Sequence, residues 1–531
     1  MRPLRRSERP TDAAGEPKSP IKTPIQPKIN ATVVLVRPPS LPPSPPPAPP
    51  ARGSLTNSTE ILPESATNSP QSPFYGKISV ELVRRRTPRS GLGGVGQWRV
   101  PESTPGPTAA AATDATAHPR GWVRPALLWA GFAAVHAALA WLCFASTGWP
   151  LGDVERSYLG WATDAVTGGG VVGISAPFVY PILAILPMLA ALAFGPGLYS
   201  LTWLGLVTLL DAVAFAVLLG PGRDPRARLA AAWWLGFLLL LGPIAVGRID
   251  AITVPLAILA VLVLRSRPVW GTMLLTLAAW IKIWPAAVIA ALFLVSRKRW
   301  PVAAAAAGTS LGIVVIALFL GSGLNVFSFV SEQTNRGIQI ESPVAGLWMW
   351  QAALKIPGNY IYYDQQILTY QVIGTGTQVA IAVMTPLLLA CIAAVLLLGW
   401  QANEAGASWP RLFPPLVLAL VLTLILVNKV GSPQFTAWLA APVILGLVLR
   451  GRAWRLPAVL ALAVAALTQL VYPHLYDWLI VADPLLVLVL SLRNLLEVIL
   501  LGWAVREVHA SGARSEHPEH DLVPPTPNLK E

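Results

Sequence analysis

The chain has 531 residues, 54% of them hydrophobic and only 12% charged, with a mean hydropathy of +0.57. That balance excludes a soluble multidomain protein and predicts a polytopic membrane protein. Its formal charge of +13 sits mainly in an N-terminal tail and in short loops between apolar runs, which is a topology signal and excludes a nucleic-acid footprint.

In chain order, residues 1–120 are rich in Pro, Ser, Thr and Ala, carry little apolar periodicity and read as a disordered cytoplasmic tail. Arg84, Arg85 and Arg86 in this tail are suited to touch anionic lipid, or simply to mark the cytoplasmic side. The first span is expected over 125–146, with Arg120 and Arg124 before it and Asp153 and Glu155 after it, so the stretch TGWPLGDVERSYLGWATD should be external. The run 178–195 is interrupted by Pro181 and Pro187. If it crossed, Arg223, Arg226 and Arg228 would fall outside, so it is read as a re-entrant or interfacial helix. Spans then follow at 197–220, 229–247 and 251–265, and a hairpin over 270–296 is broken at Lys282 and Pro285 into two half-helices.

A span at 301–321 leads into a large external loop, 322–376, and spans at 377–400, 412–428, 434–450, 456–471 and 484–504 complete the set. About ten to twelve segments result, depending on whether the hairpin crosses. Residues 508–531 read as a second disordered cytoplasmic tail. Cys143 and Cys391 both lie inside apolar runs and suggest neither a disulfide nor a metal site. The topology gathers Asp153, Glu155, Arg156, Arg248, Asp250, Glu332, Arg336, Glu341, Lys429, Ser432, Gln434, His474, Asp477 and Asp483 on the external face.

Several stretches resemble a known family. The external Asp153 loop, VYPILAILP, RSRPVWGTMLLTLAAWIKIWP, RGIQIESPVAGLW, NKVGSPQFTAWLAAP and TQLVYPHLY are similar, in order and spacing, to the actinobacterial polyprenyl-phosphate-mannose-dependent mannosyltransferases. These form glycosyltransferase family 87, of the GT-C membrane fold. The resemblance implies an all-α GT-C-like bundle over 121–507 with external juxtamembrane helices. It also implies inverting transfer of mannose from a polyprenyl phosphate to a glycolipid or glycan hydroxyl on the outer side of the cytoplasmic membrane. No cofactor or metal is expected.

Such a transfer needs a base, because a hydroxyl is a poor nucleophile near neutral pH and a positioned carboxylate contributes about 10²- to 10⁴-fold. Asp153 matches the family's loop acid by position, and Glu155 is the rival. The bland alternative for Asp153 is a helix cap or a partner for Arg156. The departing phosphate needs cations, for which Arg336, Lys429 and Arg248 are the candidates. A surface ion pair, interfacial snorkelling and a pair with Asp250 are their respective alternatives. Glu341, Gln434 and His474 are candidate substrate contacts. Aromatic residues in the large loop, Trp348, Trp350, Tyr360, Tyr362, Tyr363 and Tyr370, are suited to membrane anchoring or to stacking on sugar.

Charges deeper in the spans should face protein or water. Arg493 and Glu497 are four apart and expected to pair, Asp211 and Lys282 are possible site or gating residues, and His136 is a packed core residue. A transporter or flippase would instead predict internal symmetry and critical midplane charges. Absence of a convincing repeat favours the enzyme, and a donor carrying another polyprenyl-linked sugar stays open.

Overall fold

The computed structural model describes residues 120–220, 224–334 and 336–516. The Pro-rich tail, the Arg84–Arg86 patch, Arg223 and the residues after Glu516 lie outside the described residues.

The first long helix, α1 (Arg120–Ala145), is followed by a sharp turn at Gly148, which has a left-handed φ of 63°. A side chain there would meet the Pro473 carbonyl oxygen at 2.6 Å, so both backbone conformation and space require glycine. The chain re-enters helix at Asp153 as a wide turn over Asp153–Tyr158, which runs into α2 (Leu159–Thr167) and stops at Gly168. Next, α3 (Ile185–Ala191) and its flanking 3₁₀ turns are too short to cross a bilayer, in keeping with a non-spanning 178–195.

The long helix α4 (Tyr199–Leu219) precedes α5 (Pro225–Leu241). Asp224 caps α5 by accepting the Arg226 N–H at 2.8 Å, and Pro225 fills the first helical position, where no donor is needed. After α6 (Asp250–Val263), the expected hairpin is indeed two half-helices, α7 (Pro268–Ala279) and α8 (Pro285–Val295), each opened by its own proline. Lys282 sits in the non-helical break between them.

The next long helix, α9 (Arg299–Phe319), leads into the large loop, which is more ordered than its sequence suggests. It holds α10 (Ser328–Thr334), β1 (Ile338–Gln339), α11 (Gly346–Ala353), β2 (Tyr360–Asp364) and β3 (Thr369–Ile373). The three strands form an antiparallel sheet in the order β1-β3-β2, with Ile338 opposite Val372 and Tyr362 opposite Gln371. Among the described residues this sheet, with an isolated bridge between Val172 and Ala176, departs from the all-α expectation.

The bundle closes with α12 (Thr377–Glu404), α13 (Trp409–Leu426), α14 (Ala440–Arg450), α15 (Arg455–Gln469), the short α16 (Tyr476–Ile480) and α17 (Pro484–Glu516). Among the described residues eight helical runs are long and apolar enough to cross a membrane, and four apolar runs are shorter: 182–194, α6, α7 and α8. The last helix extends to Glu516, beyond the expected end at 504.

Burial divides the helices by role. Apolar on every side, α13 is buried along nearly its whole length and packs against α8, α12, α14 and α17, as the centre of the bundle. By contrast α9 and α12 leave Leu311, Ile316, Phe319 and Leu389 exposed, a surface suited to lipid. Inside the bundle, Asp211 of α4 accepts from or shares a proton with His136 Nε2 of α1 at 3.0 Å, which satisfies both buried groups. The expected Arg493–Glu497 pair is replaced by another arrangement. Arg493 donates to Asn494 Oδ1 and to the Glu341 carbonyl at 2.8 Å, tying α17 to the large loop.

Candidate functional site

The Asp153 turn and α2 present two faces. Val154, Tyr158 and Ala162, four residues apart, are buried in the core, while Asp153, Ser157 and Trp161 line a cavity of about 400 Å³. The rest of the wall comes from Tyr180, from Lys282 in the hairpin break, from Glu332, Gln333 and Arg336 around α10, and from the 428–438 segment. Leu424 and Val427 at the end of α13, with Met384 and Thr385 of α12, close it with mostly apolar surface.

Four of the candidates share this cavity: Asp153, Arg336, Lys429 and Gln434. The Asp153 carboxylate is partly open to it, with 41% of its side chain exposed, and one oxygen is 3.2 Å from Arg248 Nε. Arg336 has its Nε buried without a hydrogen-bond partner in the cavity wall. The Lys429 carbonyl accepts the Gln339 N–H at 2.9 Å, which ties its segment to β1.

The other four stand elsewhere. Glu155 is two residues from Asp153, about 200° around a helix, and is held by the Trp149 indole and by Ser200 Oγ at 3.0 Å. Arg248 lies behind the cavity wall as a clamp. Its fork donates to the Pro150 carbonyl, to the Gly247 carbonyl at 2.9 Å and to the Tyr472 hydroxyl at 2.9 Å, besides meeting Asp153. Tyr472 in turn donates to the Gly148 carbonyl at 3.1 Å, so the segment that leads into the Asp153 turn is anchored at Gly148 and Pro150. Glu341 is buried beneath the sheet, where Gln339 donates to it at 2.6 Å, and burial pushes its carboxyl up to about 7 against the opposing pulls of Arg493, Gln339 and Tyr476. His474 is exposed at the kink after α15, beside Gln469.

Asp250, expected as a possible partner of Arg248, instead faces Lys282. One carboxylate oxygen accepts the Trp438 indole N–H at 2.6 Å and the other is 3.8 Å from the Lys282 ammonium. Lys282 also sits over the rings of Tyr180, at 4.8 Å, and Phe435, at 5.4 Å. Its isolated position beside Pro285 in an apolar run was the available signal for a cavity residue. The large-loop aromatics do not line the cavity. Trp348 and Trp350 are anchored through the Thr375 carbonyl and Ser491 Oγ, and Tyr360, Tyr362 and Tyr363 are exposed along β2. Trp161, Tyr180, Phe435 and Trp438 supply aromatic surface there instead.

The arrangement combines two carboxylates, Asp153 and Glu332, with several cations and aromatic faces in a single hollow. Chemically, it can take a proton from a hydroxyl on one side and stabilise an anion on the other. No curated protein and no solved structure matches the chain. The family model Glycosyltransferase family 87 matches residues 178–358, a segment that contains Tyr180, Asp250, Lys282 and Arg336 but begins after Asp153 and ends before Lys429. Over that segment, about a third of its length, the chain is similar to glycosyltransferase family 87.

Proposed function

We propose that the protein transfers mannose from polyprenyl-phosphate-mannose to a glycolipid or glycan hydroxyl at the outer face of the cytoplasmic membrane, with both tails in the cytoplasm. The observation that carries this reading is that Asp153 opens onto the same cavity as Arg336 and Lys429. Asp153 takes the acceptor proton as the acceptor oxygen bonds to the anomeric carbon. The bond from that carbon to the phosphate oxygen breaks, and its electron pair leaves with the phosphate. A single displacement of this kind inverts the anomeric centre. Arg336 and Lys429 stabilise the charge gathering on the leaving phosphate, while Trp161 and Tyr180 offer faces on which a sugar ring stacks.

Sugar transfer from radiolabelled polyprenyl-phosphate-mannose to membrane acceptors tests this, with variants compared at matched expression. Asp153→Asn should lower the rate by roughly 10²- to 10⁴-fold. Glu155→Gln, away from the cavity, should keep most of it. Equal rates in Asp153→Asn and wild type would remove Asp153 from the mechanism, and a larger loss in Glu155→Gln would reverse the assignment.

A further inference from the structure

The polar cavity meets a second hollow, of about 450 Å³, and the two share Pro181, Ile283 and Phe329 in their walls. Apolar side chains dominate the second. Ala279 of α7, Ala286 and Ile289 of α8, and Ala303, Ala306 and Ala307 of α9 form it, and the short side chains of these alanines leave the space open between the packed helices. A polar hollow thus opens beside an apolar groove, and one residue pair stands at the junction: Lys282 in the first wall and Ile283 in both.

Lys282 is held there with its hydrogen-bonding capacity unspent. Its ammonium is 3.8 Å from Asp250, beyond hydrogen-bond length, and makes no hydrogen bond among the described residues. The facing Asp250 oxygen is likewise buried without a hydrogen bond. Arg336, also in the polar wall, keeps its Nε unpartnered. Buried donors of this kind are costly unless something accepts from them. An acceptor with several oxygens and a full negative charge satisfies both cations, and a long hydrocarbon attached to it continues into the groove. A phosphate on a polyprenyl chain has both parts.

We propose that Lys282, with Arg336, anchors the phosphate of the lipid-linked donor at this junction, that Asp250 positions the Lys282 ammonium, and that the isoprenoid chain lies in the groove between the α7–α8 hairpin and α9. The identity of the lipid as the sugar donor rests on the glycosyl-transfer reading above; the seat itself does not require the sugar. Asp250 acts through Lys282 and is a positioning residue. Its second oxygen is fixed by Trp438, which keeps the carboxylate from swinging out to compete with the phosphate.

The test is binding rather than turnover. Full-length protein in nanodiscs is titrated with long-chain polyprenyl phosphate and with farnesyl phosphate, neither of which carries sugar. Wild type should bind the long chain more tightly. The double variant Lys282→Gln/Asp250→Asn removes both charges together, so no lone buried carboxylate remains to unfold the protein, and should bind both ligands roughly tenfold to a hundredfold more weakly. Lys282→Arg should restore most of the affinity. Ala306→Phe, which fills the groove, should shrink the preference for the long chain by roughly tenfold. Wild-type affinity in a monodisperse double variant would overturn the anchor. An unchanged long-chain preference in Ala306→Phe, or equal competition by phosphatidylglycerol, would overturn the groove assignment. If these binding results hold while wild-type membranes transfer no mannose, the donor reading fails and the lipid seat stands. If transfer proceeds and the double variant binds as wild type does, the reverse is true.

Discussion

Replacing Arg248 with lysine separates a clamp from a phosphate ligand. In the structure the guanidinium spans three directions at once: Nε to Asp153 at 3.2 Å, one terminal nitrogen to the Pro150 and Gly247 carbonyls, and the other to the Tyr472 hydroxyl at 2.9 Å. A lysine ammonium is a point charge on a flexible stem and cannot reach all of these together. Charge-assisted hydrogen bonds contribute about 1.5–3 kcal/mol each, and losing one or two of the set without replacement costs on the order of 3 kcal/mol of stability. The effect on turnover follows from geometry. Asp153 keeps its carboxylate but loses the partner that fixes its rotamer, and a misplacement of about 1 Å costs roughly a hundredfold in rate. Arg248→Lys should therefore lower kcat by roughly ten- to a hundredfold and leave the donor KM near the wild-type value. Initial rates at varied polyprenyl-phosphate-mannose, with the melting temperature in detergent as companion, measure both. A raised donor KM at unchanged kcat would refute the clamp and make Arg248 a donor contact.

Two further outcomes follow from the large loop. Burial moves the Glu341 carboxyl from an ordinary value of 4.5 to about 7, so the folded state holds a proton that the unfolded state has released between these values. That stabilisation is full below pH 4.5, is lost as the pH rises through about 7, and amounts to about 3 kcal/mol. Melting temperature should fall across this window in wild type and much less in Glu341→Gln; parallel curves would remove Glu341 as the cause. At Gly431, a methyl group would meet Ser342 N and Cα at 2.3 Å and the Glu341 carbonyl carbon at 2.5 Å, all main-chain atoms unable to step aside. Gly431→Ala should cost at least about 1–3 kcal/mol and, by moving Lys429 in the cavity wall, lower transfer even in the protein that still folds. A melting temperature and rate equal to wild type would contradict this.

Much of the bundle is legible because apolar length is a strong signal: most of the spans, the short 178–195 segment and the broken hairpin follow from run lengths, prolines and charge, whereas the expected span at 251–265 is only the 14-residue α6. The sheet is harder to read. One of its strands has two residues, and the other two, YIYYD and TYQVI, combine β-propensity with an aromatic content equally suited to anchoring. At the site, sequence brings Asp153 and the 428–438 segment into consideration but separates Asp153 from Glu155 only through the family resemblance, not by their environment. Helical phase does so, once Val154, Tyr158 and Ala162 are recognised as one apolar face. Arg248 misleads because its near neighbour in sequence, Asp250, faces Lys282, while its actual partner arrives from the turn after α1. Pairings between distant segments depend on how helices pack, and local pattern does not carry that information.

The main-chain contact between Glu341–Ser342 and Gly431 has a consequence for how this protein can change over time. Because the two backbones touch, and Gln339 bonds to the Lys429 carbonyl, the strips bearing Arg336 and Lys429 are locked to a common spacing that side-chain substitutions cannot adjust. The opposite wall is built differently. Ser157 and Trp161 enter it as side chains of the Asp153 turn and α2, with Trp161 packed on the rings of Phe178 and Tyr180. On the proposed reading, drift in acceptor preference should accumulate on that wall while the strips proposed to hold the phosphate stay constant, so descendants of this scaffold would diversify in what they decorate before they diversify in what they consume.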